Sequence, residues 1–377
     1  MYKTILIKDG EIYNIYNGIR RTRDVYIENG IIKDIDISLN IKADIVLNAK
    51  KKILVPGLVD AHAHLFHSPK QLGLDPDIVH LKKGVTFVID QGSSGANNYE
   101  AYRDLVYLKA KTKTLAFLNC SRIGIPAGAW SQKGELDDAA DLDENTFIKT
   151  YTKYKNELLG IKIRLSPYVC PHDPQGALEK VVHISKQLGI RMEVHPNDAA
   201  IEDGILFNML RKNDIYTHTY HPSRVGILDE NGNIKRCVLD ARKRGVIFDT
   251  AHGVSSLSVT ILKQALEQGF EPDMISTDLH NGNINGPVFD LPTTISKFIN
   301  LGMPLQRALY KVTIAPTEIF NLKKQTEIMI DKEADIAAFT LQKGKFDFSD
   351  GDGHKFTGNQ FLSPEFTILH SEVFFPN

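Results

Sequence analysis

The chain has 377 residues, of which 42% are hydrophobic, and its 45 lysines and arginines nearly balance 46 aspartates and glutamates. This is the composition of a globular protein with a large core, and the balanced charge argues against a nucleic-acid partner. No apolar run approaches the length of a membrane span, and residues 1–10 lack the apolar core of a secretion signal. We therefore expect a cytoplasmic protein that contacts no membrane.

Both ends of the chain predict short β-strands. Residues 1–52 contain alternating apolar runs, with the turn dipeptides Asp9-Gly10 and Asn29-Gly30 between them. Such dipeptides are the strongest local signal for a β-hairpin. Further strand-like runs lie at residues 327–330, 335–341 and 366–369. Neither end could bury both faces of its strands alone, so we predict a small composite β-sandwich domain built from residues 1–52 and 323–377.

Residues 53–322 have a different rhythm. Apolar runs alternate there with amphipathic stretches that predict helices, for example at residues 177–188, 201–211 and 257–268. Alternation of strands and helices over this length is typical of a (β/α)8 TIM-like barrel, in which the chemistry lies at the carboxyl ends of the strands. We therefore predict an α/β protein with its catalytic domain at residues 53–322.

One motif indicates a metal site. The apolar run 53–59 predicts a buried strand, and it leads into Asp60-Ala-His62-Ala-His64. Because side chains alternate between the faces of a strand, His62 and His64 point the same way and can bind one metal ion from one side. Two surface histidines after a strand are the alternative interpretation of this motif taken alone.

Four later strand-like runs carry further polar groups near their ends. The first carries Lys162 together with Arg164, the next two end in His195 and His218, and the fourth ends in Asp278. A mixture of imidazole and carboxylate ligands suits zinc, and less selectively other divalent first-row metals. The six residues together predict a metal site: His62, His64, Lys162, His195, His218 and Asp278.

This pattern resembles the amidohydrolase superfamily, and more narrowly its amidohydrolase/deacetylase branch, which is related to dihydroorotases and adenine deaminases. The resemblance covers nearly the whole chain and rests on segments 56–64, 160–164, 217–218, 248–253, 276–280 and 286–290. It implies two divalent metal ions per chain, which we expect to be Zn²⁺. It also implies that His62, His64 and Asp278 hold one ion, that His195 and His218 hold the other, and that a carbamate on Lys162 bridges them.

Lys162 distinguishes a binuclear from a mononuclear site. Nearby cations lower the pKa of an amine, and a neutral amine can combine with carbon dioxide to form a carbamate. Two Zn²⁺ ions, one carbamate, Asp278 and a bridging hydroxide would leave a net charge that favours anionic transition states. A free lysine that pairs with Asp60 or Asp278 is the structural alternative.

The resemblance also implies a mechanism, in which a metal-bridging hydroxide attacks the substrate and Asp278 acts as the catalytic base. Substrate contacts are assigned to Arg164, His252 and His280. Arg164 can bind a carboxylate through its guanidinium fork or can balance buried carboxylates. His252 follows a strand-like run and His280 lies beside Asp278, so both are expected at the mouth of the barrel.

Several functions share these ligands. We favour a deacetylase-type hydrolase that cleaves an amide or ester bond of a small acylated amino acid or hydroxy acid. A cyclic amidohydrolase of the dihydroorotase or hydantoinase type is the next alternative, although dihydroorotases usually carry an arginine directly after His-x-His, where this chain has Leu65-Phe66-His67. An aminopurine deaminase and a non-catalytic binding protein are weaker alternatives. We expect a small-molecule substrate and a homo-oligomer.

Overall fold

The computed structural model describes residues 2–67, 72–125 and 135–376. Within these ranges the chain forms two separate β-sheets, one mixed and one parallel. Among the described helices, none is long and apolar enough to cross a lipid bilayer.

The mixed sheet takes strands from both ends of the chain. Its N-terminal strands are β1 (Thr4–Tyr13), β2 (Arg20–Glu28), β3 (Ile31–Asp36), β4 (Ile45–Asn48) and β5 (Ile53–Pro56). The predicted hairpin at Asn29-Gly30 is confirmed, since β2 and β3 are antiparallel and both turn residues have positive φ angles. The hairpin turn predicted at Asp9-Gly10 is wrong. Those residues lie inside β1 at a β-bulge, where a side chain at position 10 would collide with Leu54.

The run 53–59 forms two strands rather than the single one predicted. Residues Ile53–Pro56 pair with β1 and with a C-terminal strand in the mixed sheet, whereas the parallel sheet begins at Leu58. Gly57 lies between the two strands. Glycine is needed there because a Cβ atom would be 2.1 Å from the Asp335 carboxylate and 2.2 Å from the Thr86 hydroxyl. The chain therefore passes between the two sheets at Gly57.

The parallel sheet has its strands in chain order. They are β6 (Leu58–Ala63), β7 (Val85–Gln91), β8 (Lys113–Asn119), β9 (Leu158–Arg164), β10 (Arg191–His195), β11 (Ile215–Tyr216) and β12 (Ile247–Phe248). β6 and β7 are buried along their whole lengths, as expected for parallel strands covered on both faces. Residues 274–279 make single parallel bridges to Asp249, just after β12, and to Ala63 in β6, so this segment connects the two ends of the sheet.

Helices connect these strands and follow them. The described α-helices are α1 (Pro76–Val79), α2 (Tyr99–Tyr102), α3 (Glu144–Lys153), α4 (Pro174–Leu188), α5 (Asp203–Met209), α6 (Arg236–Lys243), α7 (Val259–Glu267), α8 (Leu291–Asn300), α9 (Leu305–Tyr310) and α10 (Ile314–Ile319). α4 illustrates how the sequence sets their limits. Asp173 caps its first turn by accepting from Gly176 N, Pro174 begins the helix, and Gly189 ends it at φ +65°.

The C-terminal strands complete the mixed sheet. They are β13 (Asp335–Ser349), β14 (Lys355–Leu369) and β15 (Glu372–Phe374), and β13 pairs with β5. β13 and β14 form a hairpin longer than predicted, and its outer part extends beyond the strands of the mixed sheet. The predicted strand at 327–330 is wrong, since that segment has no strand pairing and leaves Met329 and Ile330 about half exposed. Hydrogen bonds join strands from both ends of the chain into one mixed sheet, and the arrangement of these strands as a sandwich stays a prediction.

Candidate metal centre

A pocket of about 360 Å³ opens at the carboxyl ends of the parallel strands. Ligand sites of α/β enzymes are usually found at this edge. The pocket is lined by the six predicted ligands, His62, His64, Lys162, His195, His218 and Asp278, and by Leu72, Arg164, Tyr168, Val254, Ser255, Ser256 and His280. Side chains that are up to 218 positions apart in sequence, from His62 to His280, therefore share one cavity.

The two histidines of the His-x-His motif present the same ring atom to the pocket. His64 Nε2 lies 3.1 Å from the Asp278 Oδ1 atom, and His62 Nε2 lies 3.6 Å from it. Their other ring nitrogens face away, because His64 Nδ1 contacts the Ser93 hydroxyl at 2.9 Å and His62 Nδ1 contacts Glu193 at 3.0 Å. A partner on Nδ1 fixes the ring orientation and leaves Nε2 for a metal ion.

His195 and His218 form the other side of the group. Their rings are 4.2 Å apart, and the buried Nε2 atom of each has no hydrogen-bond partner among the described residues. His218 Nδ1 donates to the Ala251 carbonyl at 2.7 Å. Burial is the main cause that holds the pKa of both imidazoles well below its usual value, so both are neutral, as metal ligands must be.

Asp278 is held in a strained backbone conformation. Its φ angle is +52°, in the left-handed region, and its amide donates to the His62 carbonyl at 2.7 Å. Burial opposes ionisation, but the hydrogen bond from His64 and the charge of His62 bring the pKa of this carboxyl well below its usual range. Strain of this kind is concentrated at functional sites. The ionised carboxylate meets the two motif histidines directly.

Lys162 is a buried residue that lines the pocket, and it has an ion-pair partner. Its Nζ atom is 2.7 Å from the Glu193 Oε1 atom, and both side chains are almost completely buried. The two residues face each other in the register of β9 and β10, which explains the contact. Glu193 and Asp249 also raise the pKa of His62 to about 9, although burial and Lys162 oppose this shift.

Sequence reasoning missed Glu193 and Asp249. Both are buried and touch His62 Nδ1, at 3.0 and 3.4 Å, and Asp249 also accepts from Thr217 and Ser276. A signal for Glu193 was available, since it stands two positions before His195 and therefore shares its strand face. Asp249 follows the two-residue strand β12, which is too short to show an alternating pattern.

The three predicted substrate contacts lie in different surroundings. Arg164 and His280 line the pocket, and Arg164 donates to Glu135 at 2.6 Å and to the Tyr168 hydroxyl at 3.2 Å. His252 is fully buried and is not among the lining residues. Its Nε2 atom is 2.6 Å from Nζ of Lys297, so a direct contact between His252 and substrate stays a prediction.

The donor set fits a divalent metal ion. Donor atoms of His62, His218 and Asp278 lie within 4.8 Å of one another, and the buried free Nε2 atoms of His195 and His218 face the same pocket. The neutral imidazoles of His195 and His218 and the ionised carboxylate of Asp278 are ligands of the kind that zinc and similar ions prefer.

A model of the amidohydrolase family matches residues 53–368. The chain belongs to the amidohydrolase family. It is a hydrolase that acts on C–N bonds, as the family implies. The deacetylase of Enterococcus faecalis is 32% identical over 84% of this chain and 85% of its own length, and the deacetylase of Brucella anthropi is 28% identical over 93% and 88%.

Solved structures resemble the chain over its full length. The crystal structure of a dihydroorotase superimposes with a TM-score of 0.91 at 25% identity, covering 100% of this chain and 98% of that one. The crystal structure of an adenine deaminase gives a TM-score of 0.87 at 29% identity, covering 98% and 99%. These structural relatives carry names of different activities, so similarity of fold alone does not identify the substrate.

Proposed function

We propose that the protein is a binuclear metal-dependent hydrolase that removes the acyl group from a small acylated amino acid or hydroxy acid. The observation that carries the proposal is the convergence of the six ligand-type side chains on one pocket, with the buried Nε2 atoms of His195 and His218 free. The proposed fold is a (β/α)8 barrel in which residues 274–279 occupy the eighth strand position. The cytoplasmic location and the homo-oligomer stay predictions.

The residues have distinct proposed roles toward the metal ions. His62, His64 and Asp278 would hold one ion, His195 and His218 the other, and a carbamate on Lys162 would serve both. When bound, the ions supply an activated water and polarise the scissile carbonyl. Carbamylation requires the amine of Lys162 to leave Glu193, which would keep its contact with His62.

Asp278 would act as the base. Its carboxylate is ionised, faces the pocket and lies beside both motif histidines, so it is placed to accept the proton of the attacking water and return it to the leaving group. A serine or cysteine nucleophile is not required, because bound metal ions would activate the attacking water and polarise the carbonyl.

The surroundings of Arg164 favour a substrate with a negative charge. The guanidinium lines the pocket, is more than nine-tenths buried, and has a buried Nε atom without a hydrogen-bond partner among the described residues. One carboxylate, Glu135, is its ion-pair partner in the described part of the chain. A substrate carboxylate would give the unused donor a partner, and amino acids and hydroxy acids both carry this group.

The relatives favour deacetylation over ring opening. Curated proteins named deacetylase are 27–32% identical to this chain over at least 84% of its length, whereas a curated dihydroorotase is 24% identical over 70% of it. Curated adenine deaminases are 23% identical, and the solved adenine deaminase is 29% identical. The cyclic amidohydrolase is the second candidate, because the solved dihydroorotase has the TM-score of 0.91. Leu65 follows the His-x-His motif where dihydroorotases usually carry an arginine, which favours the first candidate.

A product-specific assay tests the proposal. Zinc-loaded protein is incubated with N-acetyl amino acids, O-acetyl hydroxy acids, dihydroorotate, a hydantoin and adenine, and the release of acetate, of ring-opened acid and of ammonia is measured separately. We expect acetate. Ring-opened acid or ammonia as the main product would replace the proposal with one of its alternatives, and His195→Ala, which removes a metal ligand, is the inactive control.

A further inference from the structure

One part of the pocket wall lies outside the strands that carry the ligands. Val254, Ser255 and Ser256 are consecutive, line the pocket and follow Gly253, whose position lies against Asp278. We call this segment the rim. Val254 is 40% exposed, so an apolar side chain stands at the pocket mouth. The rim is therefore positioned to contact the part of a substrate that projects away from the metal ligands.

The rim is braced by the C-terminal hairpin. The turn between β13 and β14, residues 350–354, which we call the tip, lies against the rim and the start of α7. Gly351 N donates to the Leu257 carbonyl at 2.9 Å, and the Asp350 carboxylate accepts from Val259 N at 3.0 Å. The second contact caps the first turn of α7. These bonds join residues about 90 positions apart.

Gly351 is tightly fitted to the rim. A Cβ atom at this position would lie 2.8 Å from the Ser255 Cα atom, 2.9 Å from its carbonyl carbon and 2.9 Å from the Val254 carbonyl oxygen. All three are backbone atoms, which cannot swing aside as a side chain can. The backbone of the rim and the backbone of the tip are therefore in direct contact, and glycine is the residue that permits it.

The tip is itself held firmly. Asp350 is buried, and its Oδ1 atom accepts from the amides of Asp352 and His354 at 2.9 and 2.8 Å. Further along the hairpin, Asn300 and Ser296 of α8 accept hydrogen bonds from the backbone of β14. A hairpin fastened at its tip and along one edge can transmit a fixed position to the segment it touches.

We propose that the hairpin tip sets the position of the rim and thereby determines how large a group the pocket accepts beyond the scissile bond. The proposal rests on the function proposed above, because it concerns the substrate of that site. Asp350 and Gly351 are positioning residues, since they act on the substrate through Val254, Ser255 and Ser256. The small mixed sheet thus contributes to specificity through one of its hairpins.

Gly351→Ala tests this directly, with Gly344→Ala as the matched control. Gly344 lies on β13 of the same hairpin, and a Cβ atom there would meet ring atoms of Phe346 at an ordinary 3.4 Å. KM and kcat are measured for N-acetylglycine and for N-acetylphenylalanine, which differ in the size of the side chain. We expect KM for the larger substrate to rise roughly ten- to a hundredfold in Gly351→Ala, with kcat and KM for N-acetylglycine little changed.

Two further measurements separate this idea from a loss of folding or of function. Metal content and the unfolding temperature are measured for each variant, and hydrogen exchange is followed in peptides that cover residues 253–259. We expect faster exchange there in Gly351→Ala but not in Gly344→Ala. Equal KM changes for both substrates, or unchanged exchange in the rim, would overturn the proposal.

The exchange measurement does not depend on turnover. If wild-type protein cleaves neither acylated amino acids nor acylated hydroxy acids, the proposed function fails, and unchanged rim exchange in Gly351→Ala would separately overturn the bracing by the tip. If Gly351→Ala does not fold, Asp350→Asn replaces it, since it weakens the cap on α7 while the number of non-hydrogen atoms stays the same. We expect Asp350→Asn also to raise KM for the larger substrate, by a smaller factor than Gly351→Ala. An equal change in KM for both substrates would count against the proposal.

Discussion

The Oε1 atom of Glu193 lies 3.0 Å from Nδ1 of His62, and both side chains are buried next to the candidate metal pocket. The same oxygen is 2.7 Å from Nζ of Lys162, and the other carboxylate oxygen, Oε2, has no partner among the residues described. One buried carboxylate thus orients two of the predicted ligands. Partners of this kind fix the tautomer of a ligating histidine and increase its basicity.

Removing this carboxylate should weaken metal binding. We expect Glu193→Ala to lower zinc affinity about 10–100-fold, the range typical for loss of a group that orients a ligand. Glu193→Gln keeps an oxygen that accepts from His62 Nδ1, so it should retain most of the affinity. Competition with a chromophoric chelator measures both variants, and equal affinity of Glu193→Ala and wild type would show that Glu193 does not support the site.

Lys162→Ala should remove the group that serves both ions. We expect metal content to fall to about one ion per chain, because alanine supplies no ligand atom for the two ions to share. Short carboxylic acids such as acetate should partly restore activity, because they replace the carbamate. Elemental analysis and turnover measure these effects, and full metal content with normal turnover in Lys162→Ala would identify the lysine as a structural partner of Glu193.

Asp278→Asn should separate metal binding from proton transfer. Asparagine keeps an oxygen that can coordinate an ion but cannot accept a proton, so metal content should fall only modestly. Loss of a general base lowers rates on the order of 10²–10⁴-fold, and we expect the loss mainly in kcat. Steady-state kinetics on the best substrate measure this. Near wild-type kcat in a metal-loaded variant would leave Asp278 as a ligand only.

Arg164→Met should affect anionic substrates selectively. If the guanidinium binds the substrate carboxylate, KM for an N-acetyl amino acid should rise while KM for the corresponding amide, which lacks that charge, should change little. Because Arg164 also pairs with Glu135, the substitution disturbs the pocket itself. That disturbance would change KM for both substrates, so comparing the two substrates within one variant separates it from loss of carboxylate binding. Equal losses on both substrates would indicate a purely structural arginine.

Lys297 should make stability depend on pH. Burial lowers the pKa of this lysine to about 7, against the opposing effects of Asp350 and Asp290, and its ammonium contacts His252 and the Pro287 carbonyl. Between pH 7 and the ordinary lysine pKa, the unfolded chain binds more protons than the folded one. The free energy of unfolding should therefore rise with pH in this window, by up to about 1.4 kcal/mol per pH unit from this residue.

Lys297→Met provides the comparison. This variant lacks the titrating group, so its stability relative to wild type should decline as the pH rises from 7 to 10. Chemical denaturation at several pH values measures the difference. A constant difference between the two proteins over that range would show that Lys297 is charged to the same extent in the folded and unfolded states.

The sequence predicts which of these side chains meet in the pocket, because their signal is local. An apolar run followed by His62 and His64 in alternation needs no knowledge of distant contacts, and the same holds for Lys162 and His195. The contact between Lys162 and Glu193 was harder to predict, because it depends on the register of β9 and β10. The contact of the hairpin tip with α7 was harder still to predict, since no local sequence pattern encodes the hydrogen bond between Asp350 and Val259. Local rules also misread Asp9-Gly10, where packing against Leu54 places a bulge inside a strand.

The strand β5 lies between β1 and β13, which come from opposite ends of the chain. During synthesis on the ribosome, the N-terminal strands and the ligand-bearing strands emerge before residues 335–349, so one edge of β5 then has no partner. Free strand edges attract other chains. The tip that braces the rim emerges later still. On the proposals made above, the nascent protein would bring its predicted metal ligands together first and would complete its selective pocket only near the end of translation. We therefore expect products truncated before the tip to aggregate and to discriminate poorly between substrates.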